Sequence, residues 1–149
     1  MNAPDLKLVK TQATACVEQD PSFAIPNGLY RLVFDRYQVV SRFGRGSLEL
    51  WFRVMDFGPH FEKPLCRYFK VTRSGKRSFR ASPHSAFARE FAAVFGKRPP
   101  AGIQAIEWFR HDVLVEGLVE TVTKGYDQKS IPEGARYSVI RQLQRRVET

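Results

Sequence analysis

Across its 149 residues the chain has little sulfur and little histidine: two cysteines, two methionines and three histidines. Cys16 and Cys66 form no CxxC pair, so no zinc or iron–sulfur spacing is present, and both thiols are expected reduced in a cytosolic setting. His60, His84 and His111 are scattered without metal-ligand spacing. No apolar run approaches the about 18 residues needed to cross a bilayer. The opening MNAPDLKLVK has no apolar core of a secretory leader. These absences point to a cytoplasmic chain with no membrane partner. P-loop, GxSxG, HExxH and CxxC signatures are missing too. Gly44-Arg45-Gly46 is no dinucleotide fingerprint, because no helix pattern follows and the third glycine is absent. Asp56, Glu62, Asp112 and Glu116 form a nuclease-like cluster only if they meet in space. Glu116 and Glu120 at alternate positions read instead as a solvated strand face, and Asp112 as a turn residue. No catalytic residue and no cofactor is therefore assigned.

What is present is positive charge in one place. The net charge is +9, yet residues 1–30 carry −1 and residues 99–149 hold seven charges of each sign; residues 31–98 hold 15 basic and five acidic side chains. An excess confined to one block suits a surface that faces a polyanion, although a basic solvated surface would look the same. Aromatic residues make up 13% of the chain, with 12 Phe, which adds candidates for stacking.

The stretch Ser47–Ser82 organises the block. Leu48, Leu50, Phe52 and Val54 alternate with Glu49, Trp51, Arg53 and Met55, the period of a half-buried strand. A second strand follows, with Leu65, Arg67, Phe69 and Val71 on one parity and Cys66, Tyr68, Lys70 and Thr72 on the other. With the aliphatic parity inward, Trp51, Arg53, Tyr68 and Lys70 share the outer face. Such a face can stack bases and track phosphates; equally, the rings could cover a second buried face while the cations snorkel. Arg73–Arg80, RSGKRSFR, is the most basic run. Ser74-Gly75 marks a flexible tip at which Arg73, Lys76, Arg77 and Arg80 meet phosphates and Phe79 stacks.

Before this stretch, residues 1–27 read as an arm with a short strand near Lys7–Ala15. Leu29–Phe43 is a long strand whose apolar parity changes at Asp35–Arg36, the mark of a β-bulge. Gly44-Arg45-Gly46 turns it back. In the Asp56–Pro64 connection, Phe57 and Phe61 are stackers or plugs. After the tip, Ser82–Phe95 is a helix with Ser82 as N-cap and Pro83 in the first position. Phe87, Phe91, Val94 and Phe95 form its inward stripe, and Gly96 ends it. Ile103–Phe109 is one more helical turn, with Ile106 and Phe109 inward. Asp112–Lys124 is the fourth strand, where Gly117 signals close packing. Gly125–Gly134 is a polar loop bearing Tyr126 and Lys129. Arg136–Leu143 is the fifth strand, and QLQRRVET reads as a charged tail with helical leaning.

The order β-β-β-α-β-β makes the chain mainly β with one capping helix. It is that of the OB-fold, a five-stranded Greek-key barrel, here spanning residues 28–146 with 147–149 as tail. Ligands in that fold lie across strands two and three, between the loops joining strands one and two and strands four and five. This adds Arg42 and Arg45 at the first loop and Tyr126 and Lys129 at the second.

The stretches LELWFRVMDFGPHFEKPLCRYFKV and VEGLVETVTKGYDQKSIPEGARYSVI, about a third of the chain, resemble small OB-fold single-stranded DNA-binding proteins of bacteriophages and integrative mobile elements. The resemblance implies an accessory of replication or recombination that coats single strands. Unlike housekeeping bacterial single-strand binders, the sequence has no Gly/Gln-rich linker or acidic tail tip, so recruitment of partners through such a tip is not implied. The expectation is thus a sequence-tolerant, non-enzymatic binder of single-stranded DNA, with RNA left open because no residue announces a contact to the 2′-hydroxyl. A homo-oligomer is open through strand pairing at Lys7–Ala15. The alternative is a protein-interaction module, an adaptor or inhibitor, on the same fold, since exposed aromatics and Arg also make protein hot spots.

Overall fold

The computed structural model describes residues 24–125 and 127–148, with the side chain of Arg42 also outside the description. The strand expected at Lys7–Ala15 lies outside the described residues. The chain divides into two compact units, one of Asn27–Glu120 with Val139–Thr149, the other of Met1–Pro26 with Thr121–Ser138.

Among the described residues seven strands, two α-helices and one 3-10 turn at Glu133–Ala135 occur, the strands and α-helices in the order β1 Gly28–Arg42, β2 Arg45–Val54, β3 Pro64–Lys70, β4 Thr72–Arg73, β5 Phe79–Arg80, α1 Ala86–Phe95, α2 Ile103–Ile106, β6 Leu114–Val122 and β7 Tyr137–Arg146. Five of them form one antiparallel sheet, β3-β2-β1-β6-β7, and β4 and β5 form a separate two-stranded hairpin. The fold is therefore mainly β, as the alternating pattern requires, and the helices fall between the third and fourth long strands as expected. The sheet is not closed by pairing of β3 with β7.

β1 sits at the centre because Gly28–Val33 pairs with β6 and Leu32–Arg42 with β2, the two ladders overlapping at Leu32 and Val33. The register shifts between Phe34 and Arg36. The inserted residue moves the inward parity from Leu32 and Phe34 to Tyr37 and Val39, which face Leu50 and Leu48. This is the face swap that the sequence pattern demands.

The core of the larger unit is aliphatic on β2 and aromatic beneath α1. Leu48, Leu50, Phe52 and Val54 are fully buried. Phe34, Phe52 and Phe109 meet at centroid distances of 5.8 to 6.0 Å, and Phe91 joins Phe109 at 6.1 Å. The phenylalanine excess therefore goes mainly into packing: Phe34, Phe52, Phe69, Phe79, Phe87, Phe91 and Phe109 are all buried. Each contributes roughly 1.5–3 kcal/mol of burial. A Cβ on Gly117 would lie 2.8 Å from Leu32 Cδ1, so the glycine admits the central strand.

α1 begins later than the sequence suggests. Ser85, not Ser82, is the N-cap, its side chain accepting from Ala88 N at 3.2 Å. Ser82 caps a preceding turn through His84 N at 3.2 Å. Gly96 closes the helix with φ 77°, as expected. Arg67, on the inward parity of β3, explains itself here: its guanidinium forms an ion pair with Glu90 of α1. Glu90 Oε1 also accepts from Leu143 N of β7 at 2.8 Å. One buried helix carboxylate thus touches both edge strands. The charged end of the chain is strand rather than helix, for β7 runs to Arg146. Its Arg141 and Arg145 pair with Glu120 and Glu116 of β6, each at 3.1 Å.

In the smaller unit the chain folds on itself between Thr123 and Ile131. Lys124 and Ser130 form a bridge, and Ile131 N donates to Thr123 O at 2.8 Å. Ile25 N donates to Ser138 Oγ at 2.8 Å. Among the described residues no helix is long and apolar enough to cross a membrane.

Candidate functional site

The outer face of β2 and β3 carries the side chains that parity assigns to it. Trp51 lies opposite Cys66, Glu49 opposite Tyr68, Arg53 opposite Pro64 and Ser47 opposite Lys70. The face is not a bare stacking surface, however. Glu49 at its centre is only 3% exposed, and it accepts from Trp51 Nε1 at 3.3 Å. Trp51 is half-buried, with the Arg36 guanidinium 4.8 Å from its ring centroid. Arg53 is drawn between Asp35 at 4.0 Å and Glu62 at 3.7 Å, so much of its charge is already answered. Tyr68 and Lys70 remain exposed.

The basic tip has more structure than a flexible loop. Arg73 pairs with Phe79 and Thr72 with Arg80. Ser74 N donates to Ser78 O at 3.0 Å, and Arg73 Nε to Gly75 O at 3.1 Å. This ladder turns Phe79 inward. It is 2% exposed and packs edge-on against Phe87 at 5.5 Å, so the expected stacking role is corrected: Phe79 anchors the hairpin.

Anchored in this way, the tip meets the second half of β1 and encloses a groove of about 590 Å³ between residues 36–41 and Arg73, Lys76 and Arg77. Tyr37 lies in it. Its phenol donates to Arg77 O at 3.2 Å, and the Arg77 guanidinium lies 4.7 Å from the ring centroid. Arg36 and Tyr37 were not singled out from sequence. The bulge carries the signal for them, because the register shift after Phe34 sets Arg36 opposite Trp51 and Tyr37 opposite Leu50. Arg80 does not line this groove.

The groove owes its field to where the acids have gone. The basic block holds five acids, Asp35, Glu49, Asp56, Glu62 and Glu90. Asp35 and Glu62 face Arg53, Glu90 holds Arg67, Asp56 holds Arg31 at 2.7 Å, and Glu49 is buried beside Trp51. Among the described residues, none is left to pair with Arg36, Lys70, Arg73, Lys76 or Arg77. Asp56, together with burial, also raises the pKa of Tyr30 above the ordinary tyrosine value, burial being the larger cause.

At the β1–β2 turn the two central residues are Phe43 and Gly44, with φ 52° and 75°. This is one residue earlier than the glycine spacing suggests. Phe43 is 73% exposed, beside Arg42 and an exposed Arg45. A bulky side chain at positive φ is strained, and the sequence pattern had absorbed it into the strand. Gly46 lies within β2, where a Cβ would meet Val71 O at 2.5 Å. Phe57 and Phe61 stack on each other at 5.4 Å, Phe57 being 91% exposed. In the smaller unit Lys129 is exposed on a turn held by Asp127 Oδ1 at 3.0 Å. Tyr126 lies outside the described residues. No protein-family model, curated protein or solved structure matches the chain.

Proposed function

We propose that the chain binds single-stranded nucleic acid, DNA in the first instance, without reading sequence and without catalysis. The observation that carries this reading is the groove along β1, where Arg36, Arg73, Lys76 and Arg77 converge while all five acids of the block are engaged elsewhere. Phosphates neutralise these cations, and Lys70 extends the track across β3. Bases stack on guanidinium planes backed by rings, Arg36 on Trp51 and Arg77 on Tyr37, and on exposed Tyr68 and Phe43. A single strand can splay its bases onto such surfaces, whereas a duplex keeps them paired.

The central position of β1 and the bridging of β3 and β7 by Glu90 support reading the sheet as a partly open Greek-key barrel of the OB type. A cytoplasmic accessory role in replication or recombination of a phage or mobile element accompanies this reading. The second reading, a protein-interaction module, draws on the exposed Phe57–Phe61 pair.

Fluorescence anisotropy with labelled oligo-dT and a matched duplex separates the two. Preferential binding to the single strand is expected. Equal weak binding to both forms, together with capture of a protein ligand whose affinity ignores salt, would favour the second reading.

A further inference from the structure

On the far side of the basic hairpin a second cavity, of about 550 Å³, opens between α1 and the connector that follows it. Its floor is apolar. Phe87 and Ala88 are buried there, and Ala92 lies one helical turn beyond Ala88 on the same face. Pro99 and Pro100 line it from the connector as a stiff apolar wall. Three arginines are among the residues that line the cavity: Arg80 from β5, Arg89 from α1 and Arg98 from the connector. No carboxylate lines it. Among the described residues none of the three has an ion-pair partner, and Arg89 is held in place by donating from Nη1 to His84 O at 2.6 Å.

Arginines from three separate elements thus border one apolar pocket whose lining holds no carboxylate. An anion relieves their mutual repulsion, and an apolar body displaces water that the floor cannot hydrogen-bond. The size lies within the roughly 300–1,000 Å³ range of small-molecule sites. The lining shares no residue with the groove along β1. We propose that this cavity binds a small organic carboxylate with an apolar body, of the class of a medium-chain fatty acid. The chain lies between Phe87, Ala88, Ala92 and the proline wall. The carboxylate accepts from the arginine side chains in the forked geometry that guanidinium groups favour.

Calorimetric titration of the full chain with sodium decanoate, and with decanol as the uncharged control, tests this. One saturable site for decanoate is expected, with decanol roughly tenfold weaker or more, as the loss of a charge-assisted pair requires. Ala92→Phe should fill the cavity and abolish binding while leaving the melting temperature and oligo-dT affinity unchanged. Arg98→Ala, on an exposed side chain, should weaken decanoate by about tenfold. No saturable binding, equal binding of decanol, or unchanged affinity in Arg98→Ala overturns the proposal. So does loss of decanoate binding in Lys76→Ala/Arg77→Ala, which would move the ligand to the groove. If Ala92→Phe lowers the melting temperature, Arg98→Ala alone decides.

Discussion

At Glu90 the two carboxylate oxygens hold the Arg67 guanidinium, and Oε1 takes the Leu143 amide as well. Arg67 and Glu90 are both largely buried, so removing one partner strands the other. Glu90→Ala is expected to cost about 3–5 kcal/mol, because the guanidinium and an edge-strand amide lose their acceptor together. Urea unfolding measures it, and a loss below about 1 kcal/mol would show that the two edges do not depend on this contact. Tyr30 gives a pH test of the same local kind. Its folded pKa is raised by burial and by Asp56. The folded state therefore holds the phenolic proton more tightly than the unfolded chain, and that stability is complete below the unfolded value. It is lost as pH rises from about 10 through the folded value. Tyr30→Phe should remove this component and flatten the alkaline limb of a stability–pH curve. An unchanged limb would contradict it.

Among the elements, β1 explains both what was legible in the sequence and what was not. The parity change at Asp35–Arg36 announced the bulge, and period-2 alternation announced the shared outer face of Trp51, Arg53, Tyr68 and Lys70. Alternation says which side a residue takes, however, and not who waits there. Arg53 meets Asp35 and Glu62, and Trp51 meets Arg36, through contacts that join separate strands or reach beyond them. Phe79, an exposed stacker by its basic surroundings, is buried for a related reason. A two-residue strand is too short to show a period, and the burial of its ring is decided by Phe87, on a helix that begins several residues later. The β1–β2 hairpin offers a prediction at this scale. Phe43 occupies a positive φ in a turn that favours Asn-Gly. Phe43→Asn is expected to raise stability by about 1 kcal/mol, the strain of the left-handed conformation being largely relieved. It should also weaken oligo-dT binding by removing an exposed ring. Chemical denaturation and anisotropy on the same sample read both effects. A variant that gains neither stability nor a binding defect would mean that the strained phenylalanine serves no such purpose.

For the whole molecule the decisive property is the separation of charge. Two arginines of β7 are answered by the neighbouring strand, Arg145 by Glu116 and Arg141 by Glu120 of β6. The block from residue 31 to residue 98 uses its five acids for structure and leaves the groove positive. A polyanion bound there must release counterions in proportion to the cations engaged. The most direct measurement is the salt dependence of oligo-dT affinity for the native chain and for Lys76→Ala/Arg77→Ala. With Arg36, Lys70, Arg73, Lys76 and Arg77 all in contact, log K against log salt should fall with a slope of about −3.5, relaxing to roughly −2 in the double variant. The same slope in both proteins would contradict the account, because the uncompensated groove would then not be where the nucleic acid lies.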